Sequence, residues 1–389
     1  MHKLIFALAC CIAALAQAAP YIPASGGQVV ETVPRRGDPL QQELRRLRSQ
    51  LKATPNNLAL ATTAARRFIA LGRSETDPRY LGYAQAALAP WWTQATPPAE
   101  VRLLRATLLQ STHHFAPALA DLKAVLAADP RNAQAWLTQA TVQSVQGDYT
   151  AATASCARVS GLSVELVTIS CIANIGAMTG KAERSEQLLD LTLTRNANAP
   201  VELKVWALTL LAEMAQRRGD GAAAEARFHL ALELDPRDSY LQGAYADLLL
   251  EQSRSADVLT LLRGQDRIDA LLLRRALALQ QSGQRNAMQA DVKELAARFD
   301  AAAQRGDTVH QREQARFELL LRGDAVSALA LARKNWAVQK ETADIRIYLQ
   351  AALQARDAGA AKPVMEWVAA HGTEDVVAAR LVRRIQAGI

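Results

Sequence analysis

Two phrases constrain this chain more than anything else in it: FAPALADLKAVLAADP at 115–130 and GAAAEARFHLALELDP at 221–236. Each has an aromatic or small residue first (Phe115, Gly221) and Ala three residues on (Ala118, Ala224). A bulky apolar residue follows (Leu122, Phe228), then a smaller apolar one (Val125, Ala231), and Asp-Pro closes the phrase. Spacings of three and four put these side chains on one face of a helix. Alanines at fixed points on that face let a second helix approach closely, and the closing Pro pre-sets the backbone for a new helix. Composition agrees: 50% of residues are hydrophobic but only 5% aromatic. Ala and Leu must therefore do the packing, which suits closely apposed helices and suits a β-protein poorly.

The phrases sit inside units of about 34 residues. Counting from the first residue of a unit, 99–132 places Ala106 at position 8, Phe115 at 17, Ala118 at 20, Leu122 at 24 and Pro130 at 32. The next unit, 133–166, keeps the phase with Trp136 at 4, Ala140 at 8, Gly147 at 15, Tyr149 at 17 and Ala152 at 20. A small insertion precedes 205–238, where Ala212, Gly219, Ala224, Phe228, Ala231 and Pro236 fall into place, and 239–268 follows with Tyr245 and Ala246. Gly at position 15 permits the left-handed turn between two helices. Weaker units start near 58, 167, 269, 309 and 345, the first with its turn lengthened by Ser74–Pro78. This pattern resembles the tetratricopeptide repeat family over nearly the whole of 40–389. The resemblance implies an all-α solenoid, a right-handed superhelix of about nine antiparallel helical hairpins.

Ahead of the repeats stands MHKLIFALACCIAALAQAAP, with a short basic start, an apolar run from Leu4 to Ala16 and small residues at Ala16 and Ala18. It reads as a secretory signal peptide over 1–18, cut after Ala18, and so predicts a periplasmic or secreted protein. An uncleaved membrane anchor is the alternative, although the run is shorter than the roughly 20 residues a spanning helix needs. Leu8-Ala9-Cys10 also resembles the end of a lipobox, but the apolar run before it is short. Residues 19–39 carry four Pro and three Gly and read as an extended leader. After cleavage the protein is not an integral membrane protein. Cys156 and Cys171 are the cysteines that remain of four, an even number in an oxidising compartment. They lie on neighbouring helices about equally far from the turn 160–163, so the spacing leaves two readings open, a disulfide or two buried thiols.

Chemistry is harder to find. There is no GxSxG, HExxH or phosphate-cradling glycine loop, and the six histidines are scattered. His113 and His114 stand together at a turn without ligands at helical spacing, so no metal is expected, no cofactor, and no enzyme activity. The net charge of +7 is spread along the chain rather than gathered, which argues against nucleic acid. Arg35, Arg36, Arg45, Arg46, Arg48 and Lys52 alternate with leucines and read as the solvated face of a helix.

The family resemblance implies a concave groove lined by the first helix of each hairpin, through positions 2, 5, 9, 12 and 13. In the central units the candidates for holding a protein or peptide are Trp206, Glu213, Arg217, Tyr240, Asp247 and Glu251. Leu103 with Thr107, and Leu137 with Thr141, stand where the chaperone-tail receptors of the family carry Lys and Asn, so that clamp is not expected. The function expected is a non-catalytic scaffold or adaptor. The alternative is a structural or glycan-handling accessory subunit of an envelope assembly, working through convex or terminal surfaces.

Overall fold

A computed structural model describes residues 25, 39–74, 79–307 and 309–388, in two compact units, 1–53 and 54–389. The expected signal peptide at 1–18 lies outside the described residues, as does the expected leader at 19–39 except for Ser25 and Pro39. The first unit holds α1 (Pro39–Ala53), in which Leu44 and Leu47 are buried while Arg45, Arg46, Arg48 and Lys52 are exposed.

The second unit is a series of helical hairpins. In chain order the first three pairs are α2 (Leu58–Ser74) with α3 (Arg79–Ala87), followed by the single turn α4 (Ala89–Trp92), then α5 (Ala99–Ser111) with α6 (Phe115–Ala128), and α7 (Ala133–Gln146) with α8 (Tyr149–Arg158). The next three are α9 (Glu165–Ala177) with α10 (Ala182–Arg195), α11 (Val201–Arg218) with α12 (Gly221–Leu234), and α13 (Ser239–Glu251) with α14 (Ser255–Leu261). The last three are α15 (Asp269–Gln281) with α16 (Arg285–Gln304), α17 (Gln311–Phe317) with α18 (Ala325–Trp336), and α19 (Thr342–Gln354) with α20 (Ala358–His371). One more helix, α21 (Val376–Ala387), comes after these pairs, and Glu318–Arg322 extends α17 by one wider turn. The described residues thus form nine hairpins and no strand. This is an α-solenoid of tetratricopeptide type.

The alanines explain why the helices nest. Ala106, Ala118, Ala140, Ala152, Ala212, Ala224, Ala231 and Ala246 are each at most 1% exposed. Leu122 and Phe228 fill the seam beside them at 0%. No single centre forms. One cluster of buried side chains covers α11 to α17, another takes over from α17 to α21, and smaller ones serve the earlier hairpins. Entry to the helices is fixed by short acceptors: Asn132, Asp148, Asp220, Asp238, Asp324, Asp357 and Asp375 each accept the backbone N–H three residues on. Four helices begin away from the starts the pattern suggests. α9 opens at Glu165, after extended Val164. α11 gains a turn, to Val201, because Pro200 already holds a helix-entry φ of −49°. α17 begins at Gln311 behind His310. α19 begins at Thr342, where Glu341 and Asp344 form a reciprocal capping box.

Cys156 on α8 and Cys171 on α9 are joined, with Cα atoms 5.7 Å apart. The bridge ties the third hairpin to the fourth.

Candidate functional site

The six candidate groove residues fall on two neighbouring first helices, α11 and α13, but in different environments. Trp206 is half-buried against the cluster of Leu166, Ala173 and Leu211. Tyr240 is 66% exposed, and its hydroxyl donates to Glu213 Oε1 at 2.7 Å. Asp247 accepts from Arg274 on α15 and, at 2.7 Å, from Arg316 on α17. Glu251 accepts from Arg346 on α19 at 2.6 Å. Arg217 is 9% exposed, and its Nε and Nη2 are buried with no acceptor.

Asp247 and Glu251 therefore show what this wall faces. Arg316 lies 69 residues beyond Asp247, and Arg346 lies 95 beyond Glu251. The eighth and ninth hairpins thus stand opposite the sixth, and ion pairs cross between their first helices. Arg346 also reaches Asp375, 2.7 Å away at the start of α21. Beside it, Arg312 on α17 bonds Glu341 at 2.8 Å, with the buried Asp344 3.5 Å away. No local signal in the sequence announces these pairs. Each arginine sits on a first helix, where its spacing reads as an ordinary polar face.

The turns between the two helices of successive hairpins meet the C-terminal segment one after another. At the second hairpin, His113 Nδ1 lies 3.2 Å from Gln339 Nε2. At the third, Lys340 N–H donates to Val145 O at 2.8 Å, and Tyr149 Oη donates to Lys340 O at 3.2 Å. Gly147, at φ +83°, lies against the Trp367 ring so closely that a Cβ there would overlap it. At the fourth, a Cβ on Gly180 would stand 3.4 Å from Gly372 O, and at the fifth, one on Gly219 would meet Val376 at 3.5 Å. Glycine at position 15 thus serves twice: it supplies the left-handed turn and admits a distant part of the chain. The Lys340 ammonium sits 5.6 Å from both the Trp336 and Trp367 rings. His371 stacks on Trp367 at 3.9 Å and meets Tyr149 edge-on at 5.3 Å. Burial lowers the Lys340 pKa below the ordinary lysine value and pushes the Tyr149 phenol up to about 12.

On the inner wall, burial raises the Glu213 carboxyl while Arg217 pulls it back. The Glu213 charge, then burial, lift the Tyr240 phenol well above its ordinary value. Tyr240 is nonetheless largely open to water, so its bond to Glu213 fixes the ring while solvent still reaches it. The arrangement has no nucleophile with an adjacent base. Among the described residues no group of three His, Cys, Asp or Glu side chains is placed to hold a metal ion. No described helix is long and apolar enough to cross a membrane.

Comparison with known proteins adds likeness of fold. No family model and no curated protein matches the chain. Among solved structures it is similar to the APC/C hetero-tetramer Cut9–Hcn1, with 13% identity and a TM-score of 0.40 over 80% of this chain and 52% of that one. It is also similar to a tetratricopeptide repeat protein from Parabacteroides merdae, with 13% identity and a TM-score of 0.34 over 80% of this chain and 99% of that one. A third is the human IFIT1 dimer with m7Gppp-AAAA, at 14% identity and a TM-score of 0.41 over 90% of this chain and 86% of that one. The chain spans about half the length of the first of these.

Proposed function

We propose that this protein is a non-catalytic scaffold of the cell envelope that holds a protein or peptide segment on the inner wall formed by α11 and α13. Tyr240 carries this reading. On a wall where Asp247 and Glu251 are already paired with arginines, it leaves 66% of its surface open. Its hydroxyl is pinned by Glu213 at 2.7 Å, so the ring offers a fixed apolar face at little cost in side-chain freedom. The N-terminal sequence supports export, with Ala19 as the first mature residue, and the Cys156–Cys171 pair suits an oxidising compartment.

The second reading, a structural or glycan-handling subunit working through its convex face, draws on a different surface. Leu188, Leu191, Leu230 and Leu234 are exposed on α10 and α12, two helices that Arg227 joins by bonding Glu186 at 2.6 Å. A photo-crosslinking residue at position 240 or at position 230, introduced in the native envelope, separates the two. A polypeptide captured from 240 and not from 230 supports the inner wall. Capture confined to 230 favours the convex face, and ribonuclease-sensitive capture at 240 replaces the polypeptide with RNA.

A further inference from the structure

His113 stands at position 15 of its unit, where the third and fifth hairpins carry Gly147 and Gly219. Its φ is +58°, left-handed like theirs at +83° and +87°. That backbone is unfavourable for a residue with a Cβ and free for glycine. The glycines leave room for the C-terminal segment, whereas His113 reaches it with a side chain: Nδ1 lies 3.2 Å from Gln339 Nε2. The ring is half-buried and stacked on Phe115, with centres 5.5 Å apart. Strain kept at one turn of a repeat points to a use for the side chain that causes it.

A row of buried groups behind that contact fixes its direction. The Asp344 carboxylate only accepts: Oδ1 takes a hydrogen bond from Asn335 Nδ2 at 2.8 Å, and Oδ2 takes one from the Glu341 N–H at 2.8 Å. Asn335 therefore turns its oxygen toward Gln339, whose Nε2 donates to it at 3.1 Å. The same Nε2 meets His113, so Nδ1 is the bare, accepting nitrogen of a neutral ring and the proton sits on Nε2. A proton added at Nδ1 would set two donors face to face. Turning the whole row round would take a second proton, on Asp344. That would neutralise the carboxylate that Arg312 faces at 3.5 Å and leave the guanidinium less compensated beside a charged imidazole.

We propose that His113 is a proton-operated catch on the seam between the second hairpin and residues 339–341: neutral, it fastens the C-terminal segment to that turn, and protonated, it lets go. The catch does not depend on what the inner wall holds. Arg312 and Glu313 on α17, His310 just before it and Glu341 just before α19 act on the ring. Beside it on its own turn, His114 is exposed and bonds Thr112 at 3.0 Å, and the Lys340 ammonium lies on Trp336 and Trp367 instead. Burial, then Arg312, with His310 adding to them, hold the imidazole below its ordinary value, although Glu341 and Glu313 pull the other way. A folded value below the ordinary one of about 6.5 favours the fastened seam above that pH, and this preference is lost as pH falls below it. The Asp344 carboxyl, which burial raises, has Arg312, Asn335 and Glu341 as partners on its own side of the seam, so release leaves its surroundings in place.

The test uses the full chain with nitroxide amino acids incorporated at the exposed positions Ala116 and Val338, one on each side of the seam. Their distance distribution is read from about pH 7.5 to about pH 5, across the ordinary histidine value. A single short distance should give way to a longer one on acidification. The fastened-to-released ratio should fall by up to about tenfold for each pH unit by which the ring's value lies below about 6.5. In ¹⁵N-histidine spectra at the upper pH, His113 should carry its proton on Nε2. His113→Asn cannot titrate and tolerates the left-handed backbone, so it should lose the pH response whatever distance it shows, while His114→Asn should keep it. A distribution unchanged over this range, a neutral ring protonated on Nδ1, or a response that survives in His113→Asn would overturn the proposal. If His113→Asn does not fold, the wild-type distances and the ring tautomer decide alone.

Discussion

Gly147 and Asp247 each carry more of this structure than their types suggest. Gly147 has φ +83° and lies under the Trp367 ring, whereas Gly283 has φ +72° with nothing within 4 Å of a Cβ placed there. Gly283→Ala should therefore cost only the left-handed backbone strain, about 1 kcal/mol. Gly147→Ala should cost about 3 kcal/mol, because the ring must also move. Denaturant midpoints of the two variants test this, and equal losses would mean that the Trp367 contact is absent in solution. At Asp247 burial alone would raise the carboxyl, but Arg274 and Arg316 override it and hold it down at about 2. A folded-state value below the ordinary carboxyl value of about 3.9 gives a stabilisation fully present above that pH. It is lost as pH falls through about 2. Asp247→Asn should lower stability at neutral pH by about 2 kcal/mol, after allowing for partial exposure, and flatten the acid limb of the stability curve. An unchanged acid limb, followed by circular dichroism, would remove this account.

At the scale of elements, two ties join hairpins that are not joined by the repeat pattern alone. The Cys156–Cys171 bridge closes a loop with a sequence separation of 15 residues. Replacing both by Ala should cost about 3 kcal/mol if the bond acts mainly on the unfolded chain. Recovery of both thiols free from oxidising conditions would cancel that expectation. The second tie is the docking of α20 and α21 on the turns of earlier hairpins. Trp367→Ala removes the ring that touches Gly147, Tyr149, Trp336 and Lys340. A loss of about 2–3 kcal/mol is expected for a half-buried ring. Amide exchange should quicken across α20 and α21 and in the 145–149 turn together. In a Gly147→Ala background the same substitution should cost less, since the two sites share one contact. Strict additivity would show that they do not.

For the second unit as a whole, the hairpins came out of residue spacing with little error. Alanines at positions 8, 20 and 27 are the contact points of neighbouring helices, and contact of that kind leaves a local, periodic record. Starts shifted where a single residue, such as Pro200 or the Glu341–Asp344 box, moved the cap. The inner wall was legible only in part. Tyr240 and Arg217 could be placed on it from the repeat phase, but nothing at positions 247 and 251 indicates that arginines 69 and 95 residues later face them. Trp367, Lys340 and Arg346, which close the C-terminal hairpins onto earlier ones, were missed because each has an unremarkable local context. A whole-chain consequence follows for binding: a segment seated on α11 and α13 shares its space with α17 and α19. Tyr240→Ala should abolish pull-down of that segment by the full chain while changing the unfolding free energy by no more than about 1 kcal/mol, as expected for an exposed ring. Retained capture would move the binding surface elsewhere.

By itself the sequence determined the element type, the hairpin repeat and the small-residue contacts, because all three depend on neighbours within a few turns of the same helix or the next. Tertiary structure decided which hairpins meet after the array curves back, and with that which charges are paired. Those contacts depend on the summed rotation of many hairpins, each contributing a small angle, and no short window of residues contains that sum.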